Sequence, residues 1–532
     1  MNATGTDNFG FATTRSRGLI LALSLFEGGT VMIAELVGAR MLAPLYGSSL
    51  YVWGAVIGVT LISLTLGYYL GGILSNRSRK PALVYWFMLI AALLIALMPM
   101  LGHKLMVGLE GMDTVQAILL VTSIYLLPPL LLLGATPPLI ISILLSATAD
   151  AGKTAGLVYG VSTIGGIFAT FATGFYLIPQ YGLTHTALAG GICLAILPCI
   201  LLLGSKQYSA LAFPVLLAVV VMTSAHTSKP HPGVDLLYQS EGLLGQIQVT
   251  DIHLINNLDH SREVDRIMFV NRTGQTWINR DTAEPKWEYV RYLRSIGSLL
   301  PEGSRVLLLG LGGGIVARTM QSLGHTVDSV ELDQRVAKIA TRYFGLKPNG
   351  DTVVDDGRHY LRTTHKHYDL IIFDVFQADI PPAHMLTVET FRGLQRLLNP
   401  GGFVAINYTG FLSGSTGYGA RSIYKTLLAA GYQVKLIPTG KQEDTRNNLY
   451  IATLGKMDFS NPRIPMSIDG KPRDLSTFFM NPADIDVQHA MVLTDNQPIL
   501  EKLNLEAAAI WRAAYLKSFT KPFLEMGIPL FN

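Results

Sequence analysis

The residues best suited to chemistry in this sequence fall in one stretch: Gly310, Gly312, Gly313 and Gly314, then Glu331, then Asp356-Gly357, then Asp374. Glycines at Gly310-x-Gly312-x-Gly314 let the backbone approach a ligand closely, and a helix opening behind them offers its N-terminal amides. A carboxylate about 20 residues further on is where a ribose diol is held. Glu331 stands there and points to an adenosine with free hydroxyls. Asp356-Gly357 is placed to contact an adenine amino group, and Asp374 brings a further carboxylate to the same edge. Taken singly, Asp356-Gly357 reads as a turn and Asp374 as a strand-end cap, whereas four such features in this order read as an adenosyl-nucleotide site. A nicotinamide enzyme would share the glycines and Glu331 without requiring Asp356-Gly357.

The elements that must position these residues are strands alternating with helices. Residues 305–318 are an apolar strand, a glycine turn and a helix, and strands follow at 326–331, 352–358 and 368–374. Further strand-like runs lie at 402–407, 433–437 and 449–454, so the spacing predicts a doubly wound, Rossmann-like α/β domain over 284–532. A helical stretch near 284–299 opens it. Short alternating runs between 237 and 278, separated by Asn, Asp and Gly, predict a small antiparallel β cap within 230–283. Residues 457–532 carry no motif we interpret; Trp511 and 522–532 are expected to cover the core.

Residues 1–229 are of a different kind. Of 41 Lys/Arg and 37 Asp/Glu, that segment holds 10 and 6, leaving 31 of each for the remainder. The net charge of +4 therefore belongs to the apolar segment, and the neutral remainder has no basic excess for nucleic acid. Stretches near 18–41, 51–74, 82–102, 116–147, 155–178, 183–204 and 208–226 each approach the roughly 20 residues needed to cross a bilayer. Seven spans are expected, or eight if the fourth, interrupted by Pro128-Pro129 and Pro137-Pro138, is two pieces. The first follows Arg15 and Arg17 without a small-residue cleavage site and reads as a retained anchor.

Arg15, Arg17, Arg77, Arg79 and Lys80 place the N-terminus and second loop on the cytoplasmic side. Seven spans would then leave the nucleotide domain outside the cytoplasm and eight would return it; the supply of adenosyl nucleotide favours the cytoplasm. The expectation is a multi-pass protein of the cell (inner) membrane with a cytoplasmic catalytic domain. Gly54/Gly58 and Gly67/Gly71 read as close helix packing, whereas Glu27, Glu35 and Arg40 are ionisable groups at membrane depth, where charge is expensive. The two cysteines, Cys193 and Cys199, lie in an apolar segment, so neither a disulfide framework nor a metal site is expected.

These residues resemble the spermidine synthase (polyamine aminopropyltransferase) family, in particular its membrane-fused branch. Residues 34–47, with Glu35, Arg40 and Gly47, and residues 157–179, with Gly174 and Pro179, look like that branch's membrane signatures. Gly310–Gly314, Glu331, Asp356-Gly357 and 368–374 resemble the family's glycine loop, ribose carboxylate, adenine contact and catalytic-aspartate strand. The resemblance implies that Asp374 takes a proton from an attacking amine, and that decarboxylated S-adenosylmethionine is the co-substrate, without a metal. It also implies an acceptor pocket walled by Trp287, Glu288 and Tyr289, with Gln275 of the β cap a further candidate contact.

The sequence departs from the family twice. The loop aspartate that holds the donor's aminopropyl ammonium is replaced by Gly313, and the second acidic residue three positions after the catalytic one by Gln377, with Asp379 two beyond. Losing the loop carboxylate also removes a charge that would repel the carboxylate of intact S-adenosylmethionine. Two enzymes are thus compatible: an aminopropyltransferase acting on an amine such as putrescine, or a methyl- or alkyltransferase acting on a membrane-proximal or lipid acceptor. A sensor or transporter regulated by the nucleotide fold is the third reading. His384 is read as a second acid/base or a loop-packing residue, and a homo-oligomer is left open.

Overall fold

In the computed structural model, the described residues are 14–46, 50–77, 80–109, 112, 114–145, 150–224, 233–242, 244–255, 262–375, 382–456, 458–459, 462–464, 466–468, 471–497, 499–515, 522 and 525–526. They divide into two compact units, one built on the chain up to Lys229 with Ser240–Gln246, the other on Pro230–Gln239 with Ile247–Ile528.

The first unit is helical: α1 (Thr14–Tyr46), α2 (Leu50–Arg77), α3 (Pro81–Gly108), α4 (Thr114–Leu145), α5 (Ala151–Ala172), a π turn Thr173–Leu177, α6 (Ile178–Gly204) and α7 (Ala212–Ser224). Five helical runs among the described residues are long and apolar enough to cross a membrane, so the seven or eight expected spans are not all present as separate helices. The fourth stretch is one helix, with its four prolines inside α4. The fifth and sixth join into a single run, Ala151–Gly204, turned at Gly182, whose φ of 77° and ψ of −179° are not helical. The seventh is shortened by a 3-10 turn at Tyr208–Leu211, leaving α7 with 13 residues, below the roughly 20 needed. Gly67 and Gly71 let α2 lie against α4: a Cβ at either would come within 2.5 Å of a carbonyl of Leu131 or Ala135.

The second unit opens with β1 (Val234–Ser240), β2 (Ile247–Ile255), β3 (Arg262–Val270) and β4 (Thr273–Asn279), a sheet in sequential order with antiparallel β2–β3 and β3–β4 pairs. After α8 (Tyr289–Gly297) comes the main sheet: β5 (Arg305–Leu309), α9 (Ile315–Ser322), β6 (Thr326–Glu331), α10 (Gln334–Arg342), β7 (Thr352–Val354), α11 (Gly357–Thr363), β8 (Tyr368–Phe373), α12 (Val388–Leu394), β9 (Leu398–Thr409), α13 (Tyr418–Ala429), β10 (Gln433–Pro438) and β11 (Asn447–Thr453). Its order is β10-β11-β9-β8-β5-β6-β7, with β11 antiparallel to both neighbours and the β5–β6, β5–β8, β6–β7 and β8–β9 pairs parallel. This is the expected Rossmann-like fold.

Burial explains why the central strands read as apolar runs: Val306–Leu309 and Leu370–Phe373 are fully enclosed, as parallel strands covered on both faces must be. The strand order reverses between β5 and β8. The crevice at their carboxyl ends is where such sheets bind ligands.

Candidate active site

Gly310 leaves β5 with φ +84°, and a Cβ built there would stand 2.2 Å from the carbonyl oxygen of Asp374. Only a residue without a side chain lets the β5 turn pass so close to the end of β8. The Asp374 N–H in turn donates to the Leu309 carbonyl at 2.8 Å, which continues the ladder one residue beyond the strand and fixes the carboxylate at the crevice. The loop then turns through Gly312 and Gly314, at φ +53° and +78°, into α9.

Two residues outside the loop hold it. The Leu311 N–H donates to the Glu331 carboxylate at 3.0 Å, and the Gly313 N–H donates to Thr276 Oγ1 at 2.7 Å. Burial pushes the Glu331 carboxyl up, opposed by the N–H groups of Asp333, Leu311 and Gly312. Gly313 is closely enclosed: a Cβ there would meet Thr276 Cγ2 at 2.6 Å and the Phe344 ring at 3.0 Å. Thr276 reaches this position through a bulge in β4, where the pairing partner shifts from Thr276 at Met268 to Gly274 at Phe269. Bulges of this kind re-aim side chains beside active sites. Gln275 is the residue left over, with its carbonyl oxygen 4.0 Å from where a Gly312 Cβ would lie.

Asp374 is gripped from both sides. Tyr289, at the start of α8, donates its hydroxyl to Oδ2 at 3.0 Å, and Asn407 of β9 donates Nδ2 to Oδ1 at 2.8 Å. Asn447 of β11 donates to Asn407 Oδ1 at 2.9 Å, so the carboxylate ends a chain of amides running across the sheet. Burial pushes the Asp374 carboxyl above its ordinary value, with Asn407 and Tyr289 opposing. Burial and the Asp374 charge push the Tyr289 phenol well up, so Tyr289 is a hydrogen-bond donor here rather than a phenolate.

A carboxylate that serves as a base must be deprotonated, so an activity that used Asp374 in this way would be lost as pH falls through its pKa, at a higher pH than for an exposed aspartate. Asn407→Leu removes a donor that holds this carboxyl down. We expect the acidic limb of a kcat/KM profile to move to higher pH in that variant, which a pH titration of turnover will check.

The other sequence candidates are placed as follows. Asp356 caps α11, accepting from the His359 N–H at 2.9 Å, with Gly357 the first residue of that helix. His384 lies with Nε2 3.4 Å from Asp356 Oδ2, at the start of α11 rather than on Asp374. Glu288 is exposed beside the inward-turned Tyr289, and Trp287 packs edge-on against Trp277 at 5.6 Å. Gln377 and Asp379 lie outside the described residues. Sequence reasoning did not find Thr276 or Asn407, and it took Tyr289 only as a pocket wall. The available signal for Asn407 was a polar residue closing an apolar strand.

Residues 289–411 match the model of the spermine/spermidine synthase domain. Among curated proteins, a polyamine aminopropyltransferase of Vibrio vulnificus is 35% identical over 130 residues, 22% of this chain and 43% of that protein. Polyamine aminopropyltransferase 1 of Streptomyces coelicolor is 26% identical over 336 residues, 57% of this chain and 60% of its own length. An N-terminal histidine N-methyltransferase of Emericella nidulans is 33% identical over 142 residues, 26% and 24% of the two chains. The chain thus spans less than two thirds of the length of each of these relatives. Among solved structures, spermidine synthase from Thermotoga maritima aligns with 17% identity and a TM-score of 0.37 over 48% of this chain and 87% of that one.

Proposed function

We propose that this chain, whose residues 289–411 are a spermine/spermidine synthase domain, is a membrane-bound transferase that moves an aminopropyl group from decarboxylated S-adenosylmethionine to an amine acceptor such as putrescine. The observation that carries this reading is Asp374, fixed at the switch point against Gly310 and held by Tyr289 and Asn407.

In this mechanism the adenosine lies along the carboxyl ends of the strands. Gly310, Gly312, Gly313 and Gly314 admit its backbone-facing side, Glu331 holds the ribose hydroxyls, and Asp356 with Gly357 meets the adenine. The acceptor's nitrogen lone pair attacks the methylene carbon next to the sulfonium. The carbon–sulfur bond breaks, its electron pair returns to sulfur, and methylthioadenosine leaves. Asp374 takes the proton the nitrogen sheds. A sulfonium is a good leaving group, so the remaining requirement is alignment. Trp287, Tyr289 and Gln275 border the acceptor side, with Glu288, Gln377 and Asp379 as further acceptor contacts.

A second reading has its own observation. Thr276 and Phe344 enclose Gly313 so closely that no side chain fits without their moving, so an ammonium anchor at this position is excluded by packing as well as absent from the sequence. That favours intact S-adenosylmethionine, with methyl or alkyl transfer to a membrane-proximal or lipid acceptor, and the likeness to a methyltransferase supports it. Under either reading the helical unit anchors the enzyme in the cell membrane through its long apolar helical runs, with the catalytic unit in the cytoplasm.

The test is to supply purified protein with each sulfonium donor and candidate amines and identify the nucleoside released. Methylthioadenosine from the decarboxylated donor is expected. S-adenosylhomocysteine from the intact donor would replace the first reading with the second.

A further inference from the structure

Glu27 has no part in the transferase chemistry, yet it is 3% exposed in the middle of α1. α1 and α5 cross in backbone contact around it: a Cβ on Gly28 would fall 2.1 Å from the Ser162 carbonyl, and one on Gly165 would fall 2.0 Å from the Leu25 carbonyl. At this crossing the Ser162 hydroxyl donates to Glu27 Oε2 at 2.8 Å. Tyr68 of α2 and Tyr159 of α5 meet edge to face, with ring centroids 6.1 Å apart, and Tyr159 stands one turn before Ser162 on the same face of α5. Among the described residues no Lys, Arg or His forms an ion pair with Glu27. Both rings are partly open to the outside of the helical unit, Tyr68 39% and Tyr159 40% exposed.

We propose that Glu27, Ser162, Tyr68 and Tyr159 form a binding site for the ammonium group of a lipophilic amine that enters from the bilayer. A carboxylate at membrane depth is costly unless a cation or proton compensates it. Aromatic rings beside it favour an organic cation, because an ammonium is attracted to ring faces as well as to the charge. The site holds one carboxylate, so it compensates one ammonium, and each further charge of a polyamine would stay unpaired in an apolar surround. The outer surface of the same two helices is apolar, with Leu61, Ile62, Leu66, Leu157 and Ile164 exposed, which suits an alkyl chain trailing into lipid. The site is thus for a monoamine on a hydrocarbon tail, and it rests on the membrane-bound part of the proposed function but not on the reaction.

The experiment uses the full-length protein in phospholipid nanodiscs and radiolabelled dodecylamine as probe, with nucleoside turnover read on the same preparations. Saturable binding is expected for the wild type, for Tyr159→Phe, which keeps the ring, and for Asp374→Asn, which lacks turnover. Glu27→Gln should bind at least about tenfold more weakly while its turnover is unchanged, and Tyr159→Leu should also weaken binding. Unlabelled dodecanol should not compete. Equal binding by Glu27→Gln, competition by dodecanol, or loss of binding in Asp374→Asn would overturn the proposal, the last by placing the amine in the catalytic crevice. A chain that binds dodecylamine but turns over neither donor would leave this site standing and remove the transferase reading. A protein that fails to partition into membranes would remove the bilayer premise itself.

Discussion

Asp374→Asn should lower kcat by about 10²–10⁴-fold, the usual loss when a general base is removed, while the protein still binds adenosyl nucleotide. Asparagine keeps the shape of the side chain but not its charge, so at least one of the contacts from Tyr289 and Asn407 loses its acceptor. The glycine loop and Glu331 are untouched by the change, because Gly310 meets the Asp374 main chain rather than its carboxylate. Single-turnover kinetics with either donor, paired with calorimetric titration of methylthioadenosine or S-adenosylhomocysteine, separates the two effects. Unchanged turnover would mean that another group takes the proton. Turnover absent in wild type as well, with nucleotide still bound, would favour the reading in which the nucleotide fold regulates the helical unit.

The second large effect is expected at Gly310. Alanine there must adopt φ +84°, at about 1–2 kcal/mol for an L-residue. It must also push its methyl against the Asp374 carbonyl 2.2 Å away, a main-chain atom that cannot swing aside, for about 1–3 kcal/mol more. Gly310→Ala should therefore lower the stability of the catalytic unit and abolish nucleotide binding, because β5 and β8 part at the proposed substrate site. Gly303→Ala is the control: φ is +81° but nothing lies within 4 Å of the added methyl. It should show only the backbone cost and retain nucleotide affinity. Thermal unfolding and nucleotide titration of both variants will check this, and equal behaviour of the two would remove the close approach as the reason for the glycine.

Much of this was legible in the sequence because parallel strands buried on both faces are written as unbroken apolar runs. Residues 306–309 and 370–373 are such runs, and each leads directly into the residue that matters. What was not legible depends on which strands become neighbours. Asn407 follows Asp374 by 33 residues, and only the parallel register pairing Phe373 with Ile406 brings the two side by side. In the same way the family resemblance implies an acid where this chain has Gly313, but does not show that Thr276 in the cap sheet fills the space and accepts its N–H. The helical unit shows the opposite failing. Hydropathy counts apolar residues without seeing the non-helical Gly182 or the turn at Tyr208–Leu211, so it separated runs that join and lengthened one that is short.

Glu331 has two duties at once, since the carboxylate proposed to hold the ribose also accepts the Leu311 N–H of the glycine loop. Any lineage that sought to change the sugar proposed to bind at this position would unsettle the glycine loop in the same step. Sugar choice and loop shape are thereby inherited as a pair. On the proposed acceptor side Glu288 is exposed, so its exchange is expected to leave the nucleotide cradle undisturbed. Descendants of this protein would accordingly diversify in what they modify long before they change what they modify it with.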